Sequence, residues 1–385
     1  MSELPALLPS SCVGVIGGGQ LGRYFVIAAR RLGYQTWVLD PDASAPAMQI
    51  CEHPLVGGYD DQNALRQLAD ACDAVTIEFE NVPAASLELI AGSTRIAPPV
   101  AAVTIAQDRH AEKSHAQNFG LSTAPYAVIE SEADIEIALK TVKLPGILKT
   151  SRLGYDGKGQ QTCHTEQDIV MAFHSLGSVS CVLEQRIDLR CELSVVMARG
   201  RDGKSVCFPV AQNIHAGGIL DVSVVPASEE QSLCEQAQTL AVRFADGLNY
   251  VGVLAIEFFV DGDGELLFNE MAPRPHNSGH YTLDATACCQ FEQQLRALCG
   301  LPLGSTKLLS PVCMLNVLGD CWPTDNIPNW HSVMAQPNAH LHLYGKATAR
   351  SGRKMGHINC LGETAAEATA IANDLRAALQ HQSTQ

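Results

Sequence analysis

Two glutamates in the second half of the chain occupy positions where a β-hairpin would bring them together. The segments AIEFFV and LLFNEMAP flank the turn sequence DGDG and carry Glu257 and Glu270. With a turn at residues 261–264, Glu257 faces Phe268, and Glu270 is its diagonal neighbour on the same face. Two carboxylates among apolar residues repel each other unless a cation bridges them, and oxygen ligands suit Mg²⁺ that carries nucleotide phosphates. The hairpin therefore predicts a magnesium site, with Asn269 as a further contact; the alternative is a register slip that exposes one glutamate.

A lysine followed by a glycine-rich loop predicts a second feature, a site for a triphosphate. In GILKTSRLGYDGKGQ, Lys149 ends a strand, and the loop after it contains Gly154, Gly157 and Gly159. The lysine supplies positive charge and the loop supplies backbone amides. The sequence is not a Walker A loop, because G-x-x-x-x-G-K-[ST] is absent. An ordinary surface hairpin is the alternative.

Two glutamates near the strand CVLEQ could bind the nucleoside part of the same ligand. Glu184 lies at the end of this strand, where backbone groups could meet an adenine edge, and Glu192 could accept ribose hydroxyls. Taken alone, the two residues are better interpreted as a solvated pair.

Two basic or donor-rich segments could bind anions. The run from Arg274 to His280, RPHNSGH, directly follows Glu270, and an arginine there could hold bicarbonate or phosphate. The segment GKATARSGRKMGH carries four basic residues in an acidic chain, namely Lys346, Arg350, Arg353 and Lys354. The sequence leaves two interpretations of this second group open, a solvated charge run or a contact to a phosphate.

The glycines near the N-terminus allow a different class of function. Gly17 to Gly22, GGGQLG, follow a strand and open a helix, where backbone amides could approach an anion. Asp40 ends the next strand, at about the position of a ribose-binding acid in a nicotinamide-dependent dehydrogenase. A tight strand-to-helix turn without a ligand is the other interpretation.

The surrounding elements change character along the chain. The first hundred residues alternate strands with helices, which predicts a doubly wound α/β domain, with Gly33 placed to cap its first helix. After residue 109 we expect a helix in HAEKSHAQNFG, another around ADIEIALKTV, and then antiparallel hairpins at GRDGK and DGDG. A helix closes this region near Gly300, and a small lobe with a final helix follows.

Composition limits the possible partners and the compartment. The formal net charge of −15 argues against nucleic acid and against an anionic membrane surface as partners. The first residues do not form a signal peptide, and no stretch of about twenty apolar residues is present, so we expect a cytoplasmic protein. The fourteen cysteines contain no C-x-x-C, which favours buried thiols over disulfides or a metal site.

Taken together, the motifs resemble one enzyme family along nearly the whole chain, from about residue 12 to 375. GGGQLGR, TIEFENVP, LGYDGKGQ, AIEFFV, NEMAPRPHNSGHYT and GRKMGHIN are arranged as in 5-(carboxyamino)imidazole ribonucleotide synthase, an ATP-grasp ligase of purine biosynthesis. The resemblance implies a mixed α/β and α+β chain with the ATP-grasp fold, a doubly wound pre-ATP-grasp domain and a small C-terminal lobe. The implied divisions are 1–108 for the first domain, 109–182 for the lid region, 183–300 for the main ATP-grasp domain and 301–385 for the lobe that packs with it.

The same resemblance implies substrates, cofactors and site residues. The reaction would use ATP, Mg²⁺ and bicarbonate to carboxylate the exocyclic amine of aminoimidazole ribonucleotide through carboxyphosphate, in a homodimer. Lys149, Arg274, His276 and Asp156 would be catalytic, and Glu257 and Glu270 would hold Mg²⁺. ATP would contact Arg109, Lys149, Leu153, Gly154, Tyr155, Asp156, Gly157, Lys158, Gly159, Glu184, Gln185, Arg186, Ile187, Glu192, His215, Asn269 and Glu270. The ribonucleotide would contact Gln20, Glu78, Asn81, Asp156, Arg274, His276, Asn277, Ser278, Lys346 and Arg353.

Four other functions share part of this pattern. A formate-using glycinamide ribonucleotide transformylase would share the fold and the ATP site, but EFENVP and PHNSGH favour the imidazole enzyme. Biotin carboxylase has a longer C-terminal part than this chain. A dehydrogenase leaves Glu257, Glu270 and PRPHNSGH unexplained, and a non-catalytic nucleotide-binding protein does not need both carboxylates and Lys149.

Overall fold

Three β-sheets organise the part of the chain that the structure describes. The structure is a computed structural model, and it describes residues 5–154, 159–322 and 327–380. The sheets have five, nine and four strands. No helix in these ranges combines the length and the apolar character that crossing a membrane requires.

The first sheet is parallel and has helices on both faces, as the alternating pattern predicts. Its strands lie in the order β3-β2-β1-β4-β5; they are β1 (Cys12–Ile16), β2 (Gln35–Asp40), β3 (His53–Val56), β4 (Ala74–Ile77) and β5 (Arg95–Ile96). The helices of this region are α1 (Gln20–Arg31), α2 (Gln62–Ala71), α3 (Ala84–Ala91) and α4 (Val100–Ala106). Val13 and Val15 pack on one face with Phe25, whereas Ile16 packs on the other with Leu68. Because side chains alternate along a strand, both faces of this sheet are buried.

A small antiparallel sheet follows the helix α5 (Arg109–Asn118). Its order is β6-β9-β7-β8; the strands are β6 (Tyr126–Ile129), β7 (Gly146–Thr150), β8 (Gln160–Cys163) and β9 (Cys181–Gln185), with helices α6 (Ile135–Ala138) and α7 (Glu166–Ser175). The helix predicted around ADIEIALKTV is much shorter than expected, a 3₁₀ turn at Glu132–Asp134 and then the single turn of α6. The β-branched Thr141 and Val142 follow, and they favour helix less than Ala or Leu does.

The largest sheet is antiparallel and runs through the main and C-terminal regions. Its order is β15-β14-β10-β12-β13-β16-β18-β17, with β11 paired to β10. The strands are β10 (Leu189–Arg199), β11 (Ser205–Cys207), β12 (Ala211–Ala216), β13 (Ile219–Val225), β14 (Gly252–Asp261), β15 (Leu266–Ala272), β16 (Val312–Leu318), β17 (Ala339–Leu343) and β18 (Lys354–Leu361). The helices are α8 (Gln231–Gly247), α9 (Thr282–Ala285), α10 (Gln290–Cys299), α11 (Trp330–Met334) and α12 (Ala365–Gln380). Since β13 pairs with β16, one sheet continues across residue 300.

Packing around this sheet places the candidate site. Phe258 and Phe268 join Phe244 of α8 in a buried apolar core on one face of β14 and β15. Alternation along the strands therefore turns Glu257 to the opposite face. Helix α10 packs against α1, so the main region and the first sheet share an interface. Both predicted hairpins, β10–β11 and β14–β15, are confirmed.

Candidate active site

The carboxylate pair on the β14–β15 hairpin is closer than the sequence indicated. Glu257 pairs directly with Glu270, and Phe258 pairs with Phe268. The predicted pairing of Glu257 with Phe268 is therefore wrong. The ladder shifts between Glu257 and Phe258, so Asn269 is the extra residue of a β-bulge on β15. Directly opposed residues of an antiparallel pair lie on one face, so the two carboxylates are neighbours.

The electrostatics of this pair fit a bound cation. Burial raises the pKa of Glu257 to about 7, and the negative charge of Glu270 adds to this effect. Arg109 Nη1 lies 3.1 Å from Glu270 Oε2 and compensates part of the charge. No cluster of three or more His, Cys, Asp or Glu side chains suited to a metal is found in the described ranges. A cation here would thus take two protein carboxylates and fill its other positions from phosphates and water, which is the usual way proteins bind Mg²⁺.

A buried ion cluster lies on the small sheet and the neighbouring helix α5. Lys149 Nζ is 2.9 Å from Glu184 Oε2, and Lys113 Nζ is 3.3 Å from Glu184 Oε1. Each of the three side chains is at most 10% exposed. Burial by itself raises the pKa of Glu184, but the charges of Lys149 and then Lys113 outweigh it and bring the pKa to about 2. The interpretation of Glu184 as a solvated side chain is therefore wrong, because strand β9 is buried between β6 and β7.

Glu192 lies apart from this cluster, on β10. Its Oε2 atom is 2.7 Å from Nδ1 of His215, and both side chains are about one-fifth exposed. Burial lowers the pKa of His215, but the hydrogen bond and the charge of Glu192 raise it, and the net shift is upward. The two residues predicted to contact ATP thus already form a pair.

One cavity of about 410 Å³ connects the carboxylate pair with the first sheet. Eleven of the residues predicted to bind ATP, metal or ribonucleotide line it: Gln20, Glu78, Asn81, Arg109, Leu153, Gly154, Glu257, Glu270, Arg274, His276 and Asn277. Lys354, from the basic segment, lines it as well. The start of α1, the loop after β4, the β14–β15 hairpin and the start of β18 all contribute, so the first sheet and both parts of the largest sheet meet at the cavity.

Arg274, which was predicted to hold an oxyanion, is anchored by a glutamate that the sequence analysis did not single out. Its Nε atom donates to Glu80 Oε2 at 2.6 Å. Burial tends to raise the pKa of Glu80, but Arg274 outweighs this and holds the pKa below its usual value. Glu80 follows β4 of the first sheet and Arg274 follows β15 of the hairpin, so this ion pair links the two regions and orients the guanidinium at the cavity.

The backbone amides of the glycine-rich segment at the start of α1 donate hydrogen bonds to carboxylates of the protein itself. Gly18 N donates to Asp40 Oδ2 at 2.6 Å, and Gly22 N donates to Glu78 Oε2 at 2.6 Å. A Cβ atom on Gly19 would lie 2.1 Å from Glu78 Oε1, so the loop closes tightly on this side chain. A dinucleotide pyrophosphate would need the same amides, and the arrangement therefore argues against a dehydrogenase.

The remaining predicted residues that the structure describes do not line the cavity. Lys346 Nζ donates to Gln20 Oε1 at 2.5 Å and to Lys354 O at 2.7 Å. Arg353 Nη1 donates to Thr348 O. The other predicted residues that do not line the cavity are Lys149, Gly159, Glu184, Gln185, Arg186, Ile187, Glu192, His215, Asn269 and Ser278. Tyr155, Asp156, Gly157 and Lys158 lie outside the described residues.

Helix α5 contributes three polar residues to the site, of which the sequence analysis identified one. Arg109, Glu112 and Lys113 are spaced so that they share one helix face. Glu112 lines the cavity and accepts a hydrogen bond from Met271 N. Burial, followed by the charge of Glu270, raises the pKa of Glu112 to about 8. This i, i+3, i+4 spacing was the available signal for Glu112 and Lys113.

Three family profiles match consecutive parts of the chain. The ribonucleotide synthetase preATP-grasp domain matches residues 11–107. The ATP-grasp domain matches residues 114–291, and the phosphoribosylaminoimidazole carboxylase C-terminal domain matches residues 312–371. The first match contains the five-stranded parallel sheet, the second contains the four-stranded sheet and strands β10 to β15 of the largest sheet, and the third contains strands β16 to β18 of that largest sheet.

Curated proteins and solved structures are similar over almost the full length. The N5-carboxyaminoimidazole ribonucleotide synthase of Brucella melitensis is 45% identical over 92% of this chain and 97% of its own. That of Bacillus subtilis is 42% identical over 91% and 92%. A crystal structure of the synthetase with ADP superposes with a TM-score of 0.91 at 38% identity, covering 99% of both chains. The Aspergillus clavatus enzyme in complex with ADP and 5-aminoimidazole ribonucleotide superposes with a TM-score of 0.90 at 32% identity, covering 97% of this chain and 99% of its own.

Proposed function

The chain belongs to the N5-carboxyaminoimidazole ribonucleotide synthase family of ATP-grasp ligases, and on this basis we propose that it carboxylates 5-aminoimidazole ribonucleotide. The reaction consumes ATP and bicarbonate and yields N5-carboxyaminoimidazole ribonucleotide, ADP and phosphate. One observation supports this function above the others. A single cavity joins the carboxylate pair Glu257–Glu270 to Gln20, Glu78 and Lys354, so a nucleotide-activating site and a second polar site are continuous.

The first step joins bicarbonate to the terminal phosphate of ATP. A bicarbonate oxygen attacks the γ-phosphorus, the bond to the β–γ bridging oxygen breaks, and carboxyphosphate and ADP result. Catalysis of such a transfer is mainly positioning and neutralisation of charge. Lys149 and Arg109 supply positive charge beside the nucleotide, and Arg274, held by Glu80, binds the bicarbonate oxygens. Mg²⁺ bound by Glu257 and Glu270 would supply further neutralisation of the phosphate charges.

The second step transfers the carboxyl group to the amine. The exocyclic nitrogen of the ribonucleotide attacks the carboxyl carbon of carboxyphosphate, or CO₂ released from it. A nitrogen–carbon bond forms, the bond between the carboxyl carbon and the phosphate oxygen breaks, and the released phosphate takes up the proton that the amine loses. Gln20 begins helix α1, Glu78 and Asn81 lie in the loop after β4, and the three side chains would orient the ribonucleotide. The resemblance also assigns a catalytic role to Asp156, whose test is the turnover of an Asp156→Ala variant.

The assay that tests this function measures ADP release with components supplied in turn. ATP, magnesium and bicarbonate with 5-aminoimidazole ribonucleotide should give turnover, and omission of the ribonucleotide should remove most of it. Turnover that depends on formate and glycinamide ribonucleotide would instead select the transformylase. No ADP under either condition would contradict the proposal and leave a nucleotide-binding protein.

The assembly and the location of the chain are proposed from the family resemblance. The family resemblance implies a homodimer in the cytoplasm. Light scattering coupled to size-exclusion chromatography would test the first point, since one protomer has a mass of 41.2 kDa. A single species of that mass at micromolar concentration would contradict it.

A further inference from the structure

His276 lines the cavity, and buried hydrogen-bonding groups surround one nitrogen of its ring. Its Nδ1 atom lies 3.3 Å from Ser278 N and 2.8 Å from Ser278 Oγ. Ser194 Oγ donates to Ser278 Oγ at 2.8 Å. Both serines are fully buried, at 1% exposure or less, and neither lines the cavity. His276 does line the cavity, and its Nε2 atom lies 3.6 Å from Oε1 of Glu257, which lines the cavity as well.

The backbone around His276 is held from both sides by one buried glutamine. Gln290 Oε1 accepts from His276 N at 2.8 Å, and Gln290 Nε2 donates to His276 O at 2.8 Å. Ser194 lies on β10 directly opposite Glu257 of β14. The strand pair that places the carboxylate therefore also places the serine hydroxyl, and the position of the ring relative to Glu257 is set by regular structure.

These contacts determine which ring nitrogen carries the proton. A backbone amide can only donate, so Nδ1 must be the acceptor for Ser278 N–H. The Ser278 hydroxyl receives the proton of Ser194, and its own proton can then point to the same Nδ1 atom. A proton on Nδ1 would instead face two hydrogen-bond donors, the amide and the hydroxyl of Ser278. In the neutral ring, the proton is therefore on Nε2.

We propose that Ser194 and Ser278 are positioning residues that hold His276 as its Nε2–H tautomer, so that the ring offers a hydrogen-bond donor to an oxyanion in the cavity. Nε2 lies 3.6 Å from Glu257 Oε1, which is longer than a hydrogen bond, so the donor is open to a ligand oxygen. Bicarbonate and carboxyphosphate both present such oxygens, and this part rests on the proposed function. A ring with Nδ1 occupied and Nε2 protonated cannot accept a proton from the substrate amine, so His276 acts as a donor and not as the base.

The tautomer can be observed in the ligand-free protein, independently of any activity. Protein labelled with ¹⁵N-histidine should show, in a long-range ¹H–¹⁵N correlation spectrum, the pattern of the Nε2–H form for the ring whose signal disappears in a His276→Asn variant. The Nδ1–H pattern, or that of a doubly protonated ring, at neutral pH would overturn the proposal. Because the wild-type chain is used, this measurement does not depend on the folding of a serine variant.

Kinetics then test whether the tautomer matters for the reaction. Ser194→Ala and Ser278→Ala should each lower kcat about tenfold, the factor expected for one lost hydrogen bond, with KM for ATP and for the ribonucleotide within about twofold of wild type. Both should increase the population of the Nδ1–H form, and Ser194→Thr, which keeps the hydroxyl, should restore most of kcat. Ser223→Ala removes a buried hydroxyl bonded to Asn213 Oδ1 on the same sheet and serves as the matched control, with kcat unchanged.

Two results distinguish a failure of the positioning role from a failure of the proposed function. Wild-type kcat in both alanine variants would overturn the positioning role even if the tautomer is as expected. A wild-type protein with the Nε2–H ring but no turnover on the ribonucleotide would overturn the proposed function and leave the tautomer assignment standing.

Discussion

The buried cluster of Glu184, Lys149 and Lys113 allows a quantitative prediction about stability. Glu184 holds two lysines whose side chains are at most 10% exposed, so a Glu184→Gln variant would leave both without their shared counter-charge. The pKa of this carboxyl is 4.5 for a free glutamate and about 2 in the folded protein. That difference corresponds to about 3 kcal/mol of folding free energy at neutral pH, which agrees with the cost of breaking a buried pair.

The pH dependence of this contribution has a definite sign. A carboxyl with a pKa lowered by folding stabilises the native state when it is ionised. The contribution is therefore complete above pH 4.5 and is lost as the pH falls towards 2. The wild-type and Glu184→Gln proteins should accordingly differ most at neutral pH and converge in acid.

Urea unfolding followed by circular dichroism would measure the loss, and a double-mutant cycle would identify its cause. Glu184→Gln should lower the free energy of unfolding by about 3 kcal/mol. Adding Lys113→Met removes one uncompensated buried cation, so the double variant should recover about 1–2 kcal/mol relative to the sum of the single effects. Glu136→Gln, in an exposed pair with Lys140, is the control and should change nothing measurable. A loss below about 1 kcal/mol for Glu184→Gln, or strictly additive effects, would refute the reasoning.

Three further predictions concern the cavity. Burial and the charge of Glu270 raise the pKa of Glu112 to about 8, so ionising this carboxyl opposes folding. In magnesium-free urea titrations, the free energy of unfolding of the wild-type protein should therefore fall as the pH rises from about 5 to 8, and a Glu112→Gln variant should lose that part of the slope. Identical slopes for the two proteins would contradict this prediction. Gly19→Ala would place a Cβ atom 2.1 Å from Glu78 Oε1, so it should raise KM for the ribonucleotide severalfold and leave KM for ATP unchanged. The control is Gly92→Ala, where the Cβ has ordinary contacts and both KM values should stay the same. Equal KM values in the two variants would count against the role of Glu78. Glu270→Gln should lower the rate of ADP release at least about a hundredfold and raise the magnesium concentration needed for half-maximal activity. An unchanged magnesium titration would contradict the proposed metal site.

The local elements followed from the sequence because they depend on neighbouring residues. Alternating strands and helices predicted the first sheet, and the GRDGK and DGDG turns predicted two hairpins that the structure confirms. The helix predicted around ADIEIALKTV is longer than the observed one, because its apolar spacing continues into residues that do not sustain a helix. Turn chemistry and apolar periodicity thus sufficed for most elements, but less well for their ends.

The glycine-rich segment at Gly17–Gly22 shows where the same reasoning was insufficient. Its sequence is compatible with a phosphate site, and only the folded chain shows Glu78 and Asp40 accepting hydrogen bonds from its amides. Each of these carboxylates is more than twenty residues away along the chain. No local pattern predicts that such a carboxylate will reach the loop.

By itself, the sequence determined which residue types were available for chemistry and which strands would carry them: the paired glutamates, the lysine before a glycine loop and the arginine after the hairpin. Tertiary structure decided the details on which their chemistry depends. The bulge at Asn269 brought Glu257 directly opposite Glu270, Lys113 joined Glu184 from a separate helix, and Glu80 reached Arg274 across 194 residues of chain. The physical reason is that ionisation and hydrogen bonding depend on distance and burial in space, whereas sequence patterns report mainly on contacts between residues a few positions apart.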